Sequence, residues 1–238
     1  MRRLSRFVLL LGGFLLAGCT STPPDAENDP FEAVNRTVYD LDDPFDKYVV
    51  LNLAGLYLRE VPKPVRTGVQ HVLDNADAPA TFVNDILQGR FTGAGKTAGR
   101  FVLNSTVGLG GIFDVAARYG LLRHVSDFGQ TLSVYGVGEG PFLVLPIVGP
   151  EPPRDLVGDA VDLFLNPLAW LPPDAPLAER IGVTAGLKVA DPYMTNARDI
   201  FFRRELEKGS LDPYATMRST YRQRRNNEIA GGKPIVDQ

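Results

Sequence analysis

The chain has a single cysteine, Cys19, in 238 residues. Without a second thiol there is no intrachain disulfide and no cysteine-built metal site. Histidine is nearly as scarce. His71 and His124 are the only two, and no H-E-x-x-H pattern surrounds them, so a zinc hydrolase lacks its ligand set. No stretch reaches the roughly 20 apolar residues that a membrane-crossing helix needs. Convincing strand-type alternation of apolar and polar residues is missing as well. Neither sign of charge dominates: 25 Lys and Arg face 28 Asp and Glu, a net of −3. That removes the electrostatic footprint of a nucleic-acid binder.

What is present starts at the N-terminus. Arg2, Arg3 and Arg6 precede an apolar stretch over 7–16, and Leu16-Ala17-Gly18-Cys19 follows. This order reads as a lipoprotein export signal over 1–18, with lipid attached to Cys19. The alternative is an ordinary secretory signal that happens to end at a cysteine. Acyl chains on Cys19 contribute roughly 0.8 kcal/mol per buried methylene, enough to hold a protein to a membrane. Thr20 follows the cysteine where an inner-membrane lipoprotein often carries Asp, which points to the periplasmic leaflet of the outer membrane. Residues 19–28 have a tether's composition. A single domain is expected over 29–225 and a disordered tail over 226–238.

Helical spacing recurs through the domain. Four Asp-Pro-aromatic triplets read as helix starts: Asp29-Pro30-Phe31, Asp43-Pro44-Phe45, Asp191-Pro192-Tyr193 and Asp212-Pro213-Tyr214. Asp caps free N–H groups there, and proline at the next position gives up nothing. Pro62 and Pro64 separate a stripe of Tyr48, Leu51, Leu56 and Tyr57 from one of Val65, Val69 and Val72. Pro79 is expected to open a further helix that stops at Gly89. More are expected over 91–105, 112–119, 156–165 and 177–189. The expected fold class is all-α. Residues 163–171 are apolar on every side and too short to span, so they either pack in a core or lie partly immersed in one leaflet.

Several motifs imitate chemistry. "GRFTGAGKT" over 89–97 resembles a phosphate-binding loop, but Gly89 stands one place too early and Arg90 occupies the required position. Close helix packing at Gly95 and Gly99 is the better account. Asp127-Phe128-Gly129 matches a kinase tripeptide with nothing else of a kinase present. His124, Ser126 and Asp127 lie too near in sequence to form a relay, and His124 reads as a solvated loop residue. Residues 198–225 carry a local excess of Arg and Lys, which offers a docking surface for an acidic partner or simply a solvated face.

The long ordered motifs point further. "NDPFEAVNR" (28–36), "PATFVNDILQG" (79–89), "RFVLNSTVGLGGIFDVA" (100–116) and "DFGQTLSVYGVGEGPFLVLPIVGPEPPRD" (127–155) resemble the VacJ/MlaA lipoproteins of the Gram-negative outer membrane. The resemblance implies a ring-like multi-helix domain lying in the membrane plane, with a central amphipathic channel. It implies a non-enzymatic task, without cofactor or metal. Phospholipids misplaced in the outer leaflet would be removed and passed to a soluble periplasmic carrier, MlaC-like, beside a porin trimer. Within that frame residues 126–150 form a glycine-hinged apolar hairpin that lines or gates the channel. Phe142, Leu143, Val144 and Leu145 supply its wall, Gly136, Gly138 and Gly140 its hinge, and Ser133, Tyr135 and Glu139 its polar points. Arg203, Arg204, Arg218 and Arg222 are the candidates for partner docking. An envelope lipid or peptidoglycan hydrolase and a purely structural porin-associated lipoprotein are the rival readings.

Overall fold

The computed structural model describes residues 28–170, 174–176, 178–180, 182–184, 186 and 209–231. Helix α1 covers Glu32–Phe45. Asp43-Pro44 does not start a helix: Pro44 lies inside α1. Its missing N–H removes one helical hydrogen bond, and a π-helical turn, Asp46–Val50, follows before the chain continues as α2, Leu51–Glu60. Residues 32–60 are therefore one interrupted rod.

Pro62 and Pro64 do separate it from α3, Lys63–Leu87, which takes Pro64 in its first turn. Pro79 sits within this helix instead of opening a new one. Gly89, at φ +72°, ends it in the left-handed region that glycine adopts freely. Helix α4, Phe91–Thr106, returns along α3, and these two pack more extensively than any other pair. The helix expected over 112–119 shrinks to α5, Val115–Arg118, capped by the Asp114 carboxylate. The glycine turn upstream consumes the rest: Leu109, Gly110 and Gly111 all have positive φ.

Asp127 caps α6, Phe128–Val134, accepting from the Gln130 N–H at 2.8 Å. Two short strands follow, β1 (Val144–Leu145) and β2 (Gly149–Pro150), paired antiparallel with Val144 opposite Pro150. The expected all-α class thus holds apart from this ribbon. Helix α7, Pro153–Leu165, runs into a 3-10 turn, Pro167–Trp170. The close helix approach lies here and not at Gly95 and Gly99. Gly95 faces open space, and a methyl group on Gly99 would touch only the Leu121 side chain. At Gly158 the same methyl would overlap the Gly129 backbone, so α6 and α7 cross glycine on glycine.

Helix α8, Pro213–Ile229, begins as its Asp-Pro-Tyr triplet predicts: Asp212 accepts from the Ala215 N–H at 3.0 Å. It continues to Ile229, so 226–229 are helical where a tail was expected. Residues 232–238 and the Asp191-Pro192-Tyr193 triplet lie outside the described residues, whereas 178–180, 182–184 and 186, within the stretch expected to be helical over 177–189, are helical. Among the described residues, no helix is long and apolar enough to cross a membrane.

Candidate lipid-facing surface and polar interior

The distribution of polarity is inverted. Among the described residues, seventeen buried side chains are polar or charged and eight are apolar. Five of those eight are alanines, so the large buried apolar groups are only Phe142, Val144 and Tyr214. Thirty-three large apolar side chains are exposed, including Leu41 at 71%, Phe91 at 72% and Val102 at 59%. A water-surrounded domain normally does the reverse with its Asp and Arg residues. Helix α8 is the exception, presenting Thr220, Gln223, Arg224, Asn226 and Asn227 outward.

Three networks satisfy the interior. In the first, Arg225 forks across both oxygens of Asp127 at 2.6 and 2.8 Å and reaches Asp155 at 2.7 Å. Tyr221 donates to Asp155 at 2.8 Å, and Arg154 adds a contact at 3.0 Å. Burial by itself would raise the pKa of Asp127 and Asp155. The Arg225 guanidinium outweighs it and holds both below the usual carboxylate range. Glu151 lies beside them with no hydrogen-bonded counter-ion among the described residues. Burial, then Asp159 and Asp155, push its carboxyl up to about 8.

The second network anchors the segment before the ribbon. Asn35 donates to the Phe142 carbonyl at 2.9 Å and accepts from the Val144 N–H at 3.0 Å. It also donates to Asp29 at 2.8 Å, which binds Arg218 at 2.8 Å and the Tyr214 hydroxyl. One asparagine thus imitates a strand partner for residues 142–144. The Phe142 ring meets Tyr214 and Tyr221 edge-on, with centroids 6.4 and 6.0 Å away.

The third surrounds a narrow polar cleft between α3, α4, Asp114, Arg123 and His124. Arg100 pairs with Asp114 at 2.7 Å and Arg123 with Asp74 at 3.0 Å. His124 Nε2 lies 2.8 Å from Asp85, which is fully buried. His124 is therefore a structural partner and not the solvated loop residue that its sequence position suggests. Among the described residues no cluster of three or more His, Cys, Asp or Glu side chains is placed to hold a metal.

The sequence-nominated residues separate into two groups. Phe142 and Val144 point into the core and cannot be wall residues. Strand geometry gives the reason, since alternate residues face opposite sides: Leu143 and Leu145 are only partly buried. The exposed apolar tip, Ile147 and Val148, escaped nomination, although the same alternation and the turn at Pro146 mark it. Ser133 and Gly140 are partly buried, Gly136 and Gly138 exposed. Tyr135 is exposed and donates to the Leu87 carbonyl at 3.0 Å. Gly136 and Gly140 take positive φ and Gly138 does not. Glu139 binds Arg222 at 3.0 Å.

Two docking candidates are corrected. Arg218 is buried against Asp29, and Arg222 pairs with Glu139 while covering the Phe142 ring. Neither presents a free charge, because their partners come from distant parts of the chain. Arg203, Arg204 and Cys19 lie outside the described residues. The residues that sequence reasoning missed are the interior carboxylates Asp29, Asp85, Asp155 and Asp162, whose partners are mostly dozens of positions away.

Comparison with known proteins gives a consistent result. The sequence matches the MlaA lipoprotein family over residues 27–228. The Escherichia coli (strain K12) intermembrane phospholipid transport system lipoprotein MlaA is 34% identical over 231 residues, covering 94% of this chain and 88% of that one. The protein of that name from Haemophilus influenzae is 32% identical, covering 95% and 90%. An uncharacterised protein of Rickettsia bellii is 36% identical, covering 84% and 76%. A solved structure from work on the structural basis for maintenance of bacterial outer membrane lipid asymmetry superposes with a TM-score of 0.72 at 32% identity, covering 84% of this chain and 98% of that one. The Escherichia coli and Haemophilus influenzae relatives both carry the name of a transport-system lipoprotein. With a matching family, relatives above 30% identity over most of the length and a shared fold, this chain belongs to the MlaA lipoprotein family.

Proposed function

We propose that this protein removes phospholipids misplaced in the outer leaflet of the outer membrane and passes them to a soluble periplasmic carrier for return inward. The inverted polarity carries the reading. Helices that expose Leu41, Leu53, Phe91 and Val102, and a turn that exposes Leu109, while the interior buries Asp, Asn and Arg, suit a body lying within one leaflet. A polar interior in such a body shelters a headgroup that the hydrocarbon would reject. The E. coli relative's name and the lipid-asymmetry structure supply the substrate class and the membrane.

In this reading the domain encircles an amphipathic channel, with residues 136–148 as its movable element. The lipid on Cys19 tethers the N-terminus to the periplasmic leaflet, residues 19–28 form the linker, and 29–225 make one domain. A porin trimer steadies the body in the membrane, and α8 presents the water-facing side to an MlaC-like carrier. Transport needs no catalytic residue, because a displaced lipid moves downhill once its barrier is lowered. Cells lacking the gene should accumulate phospholipid at their surface, reversed by this chain and not by a Cys19→Ala form. Surface lipid that stays normal without the gene refutes the function. Release of fatty acid or headgroup from labelled phospholipid by the purified protein would favour the hydrolase instead.

A further inference from the structure

An apolar groove of about 530 Å³ runs along the first turns of α3. Pro64, Val65, Gly68, Val69, Val72 and Leu73 form its floor, and Ile112 and Phe113 its far wall. The volume lies within the range of small-molecule sites. The wall is held in place: Asn75 donates to Ser105 at 2.9 Å and to the Gly110 carbonyl, and a methyl group on Gly111 would overlap the Asn75 side chain. The groove is therefore preformed. Val65 and Phe113 remain more than half exposed along its edge. Its depth depends on Gly68, where an added methyl would already stand 3.6 Å from Ile112.

Positive charge flanks the groove. Arg66 stands about 100° round the helix from Val65, on the flank of the apolar stripe. It makes no ion pair and no side-chain hydrogen bond among the described residues. Its Nε is buried without an acceptor among the described residues, an arrangement that favours the arrival of one. Lys63, exposed in the first turn, adds positive charge, and that turn holds no acid. The N-terminal end of α3 adds its dipole in the same sense.

We propose that this groove takes an acyl chain of one phospholipid, with the lipid's phosphate at Arg66. The assignment rests on the phospholipid reading above and specifies where the protein holds a molecule in passage. An apolar trough beside a guanidinium that has no acid partner among the described residues matches an anionic amphiphile. The groove lies on α3 and the 110–113 turn, separate from residues 133–145.

The test places a photo-crosslinking benzoylphenylalanine at Val69 in the full-length, lipidated protein in vesicles of phosphatidylethanolamine and phosphatidylglycerol. Leu41 on the open apolar surface carries the probe as a control. The proposal expects phospholipid adducts from Val69 that drop at least five-fold with Gly68→Leu, which fills the groove, and with Arg66→Gln, which removes the charge. Leu41 adducts should not change. Thermal melting confirms that both variants fold, and Arg66→Gln leaves the packing around α3 intact. Val69 adducts insensitive to both substitutions, or adducts to protein, overturn the groove while leaving the transport reading standing. Failure of the unsubstituted protein to clear surface phospholipid in cells removes both.

Discussion

Replacing Glu151 with Gln stabilises the fold at pH 8 and leaves it nearly unchanged near pH 5. In the folded chain the Glu151 carboxyl keeps its proton up to about 8, because it is buried and then crowded by Asp159 and Asp155. Unfolded, it gives up that proton near the ordinary 4.5. Between those values the folded state binds more protons than the unfolded one, so stability falls as pH rises and levels off above about 8. At 1.36 kcal/mol per pKa step the gap sets an upper figure of about 5 kcal/mol. Part of the side chain reaches solvent, and screening there brings the expected gain to about 2 kcal/mol. Gln fills nearly the same volume, cannot ionise, and leaves the Glu151 backbone N–H on the Leu143 carbonyl. For a chain of this size the shift is about 4–8 °C in melting temperature. Melting followed by circular dichroism in detergent at pH 5, 6.5 and 8 measures it. Curves for E151Q that track the natural protein at every pH, or a loss at pH 8, refute the reasoning.

Arg225→Ala leaves Asp127 and Asp155 without their shared cation and should cost about 3–5 kcal/mol, read as a lower melting temperature with early proteolysis of α8. Conservation of melting in that variant would show that the network is incidental. Gly158→Ala pushes a methyl group into the Gly129 backbone and should cost at least about 1–3 kcal/mol. Measured against Gly95→Ala, which meets open space, the difference locates the true helix crossing. His124→Ala removes the only basic group hydrogen-bonded to the fully buried Asp85 among the described residues. A loss of several kcal/mol is expected on removing one partner of a buried pair, and unchanged chemical denaturation would contradict it.

Local signals were readable in the sequence and long-range ones were not. Asp212-Pro213-Tyr214 caps α8 because the cap needs only residues three apart. The same triplet at Asp43 fails because nothing local says whether a helix is already under way. Gly89 and the proline pair at 62 and 64 mark boundaries by backbone geometry alone. Asp127-Phe128-Gly129 looked like coincidence, yet Asp127 caps α6 and binds Arg225, while Gly129 supplies the crossing with α7. The cap is local, but the Arg225 pairing and the glycine crossing depend on partners 98 and 29 positions away, which no spacing rule reaches. For the same reason Arg218 and Arg222 read as a surface. Their acids, Asp29 and Glu139, come from elsewhere in the chain. The inverted polarity was half legible, since segments apolar on all sides were visible, but the burial of the carboxylates was not.

The central claim is that the apolar exterior sits in lipid while α8 faces water. Spin labels at Leu41, Leu53, Val102 and Leu109, compared with Arg224 and Asn227, test it most directly in vesicles carrying the lipidated protein. The first four should be accessible to dissolved oxygen and shielded from a water-soluble nickel reagent, and the last two should show the opposite. Equal access of the nickel reagent to all six positions would place the whole body in water and contradict the account.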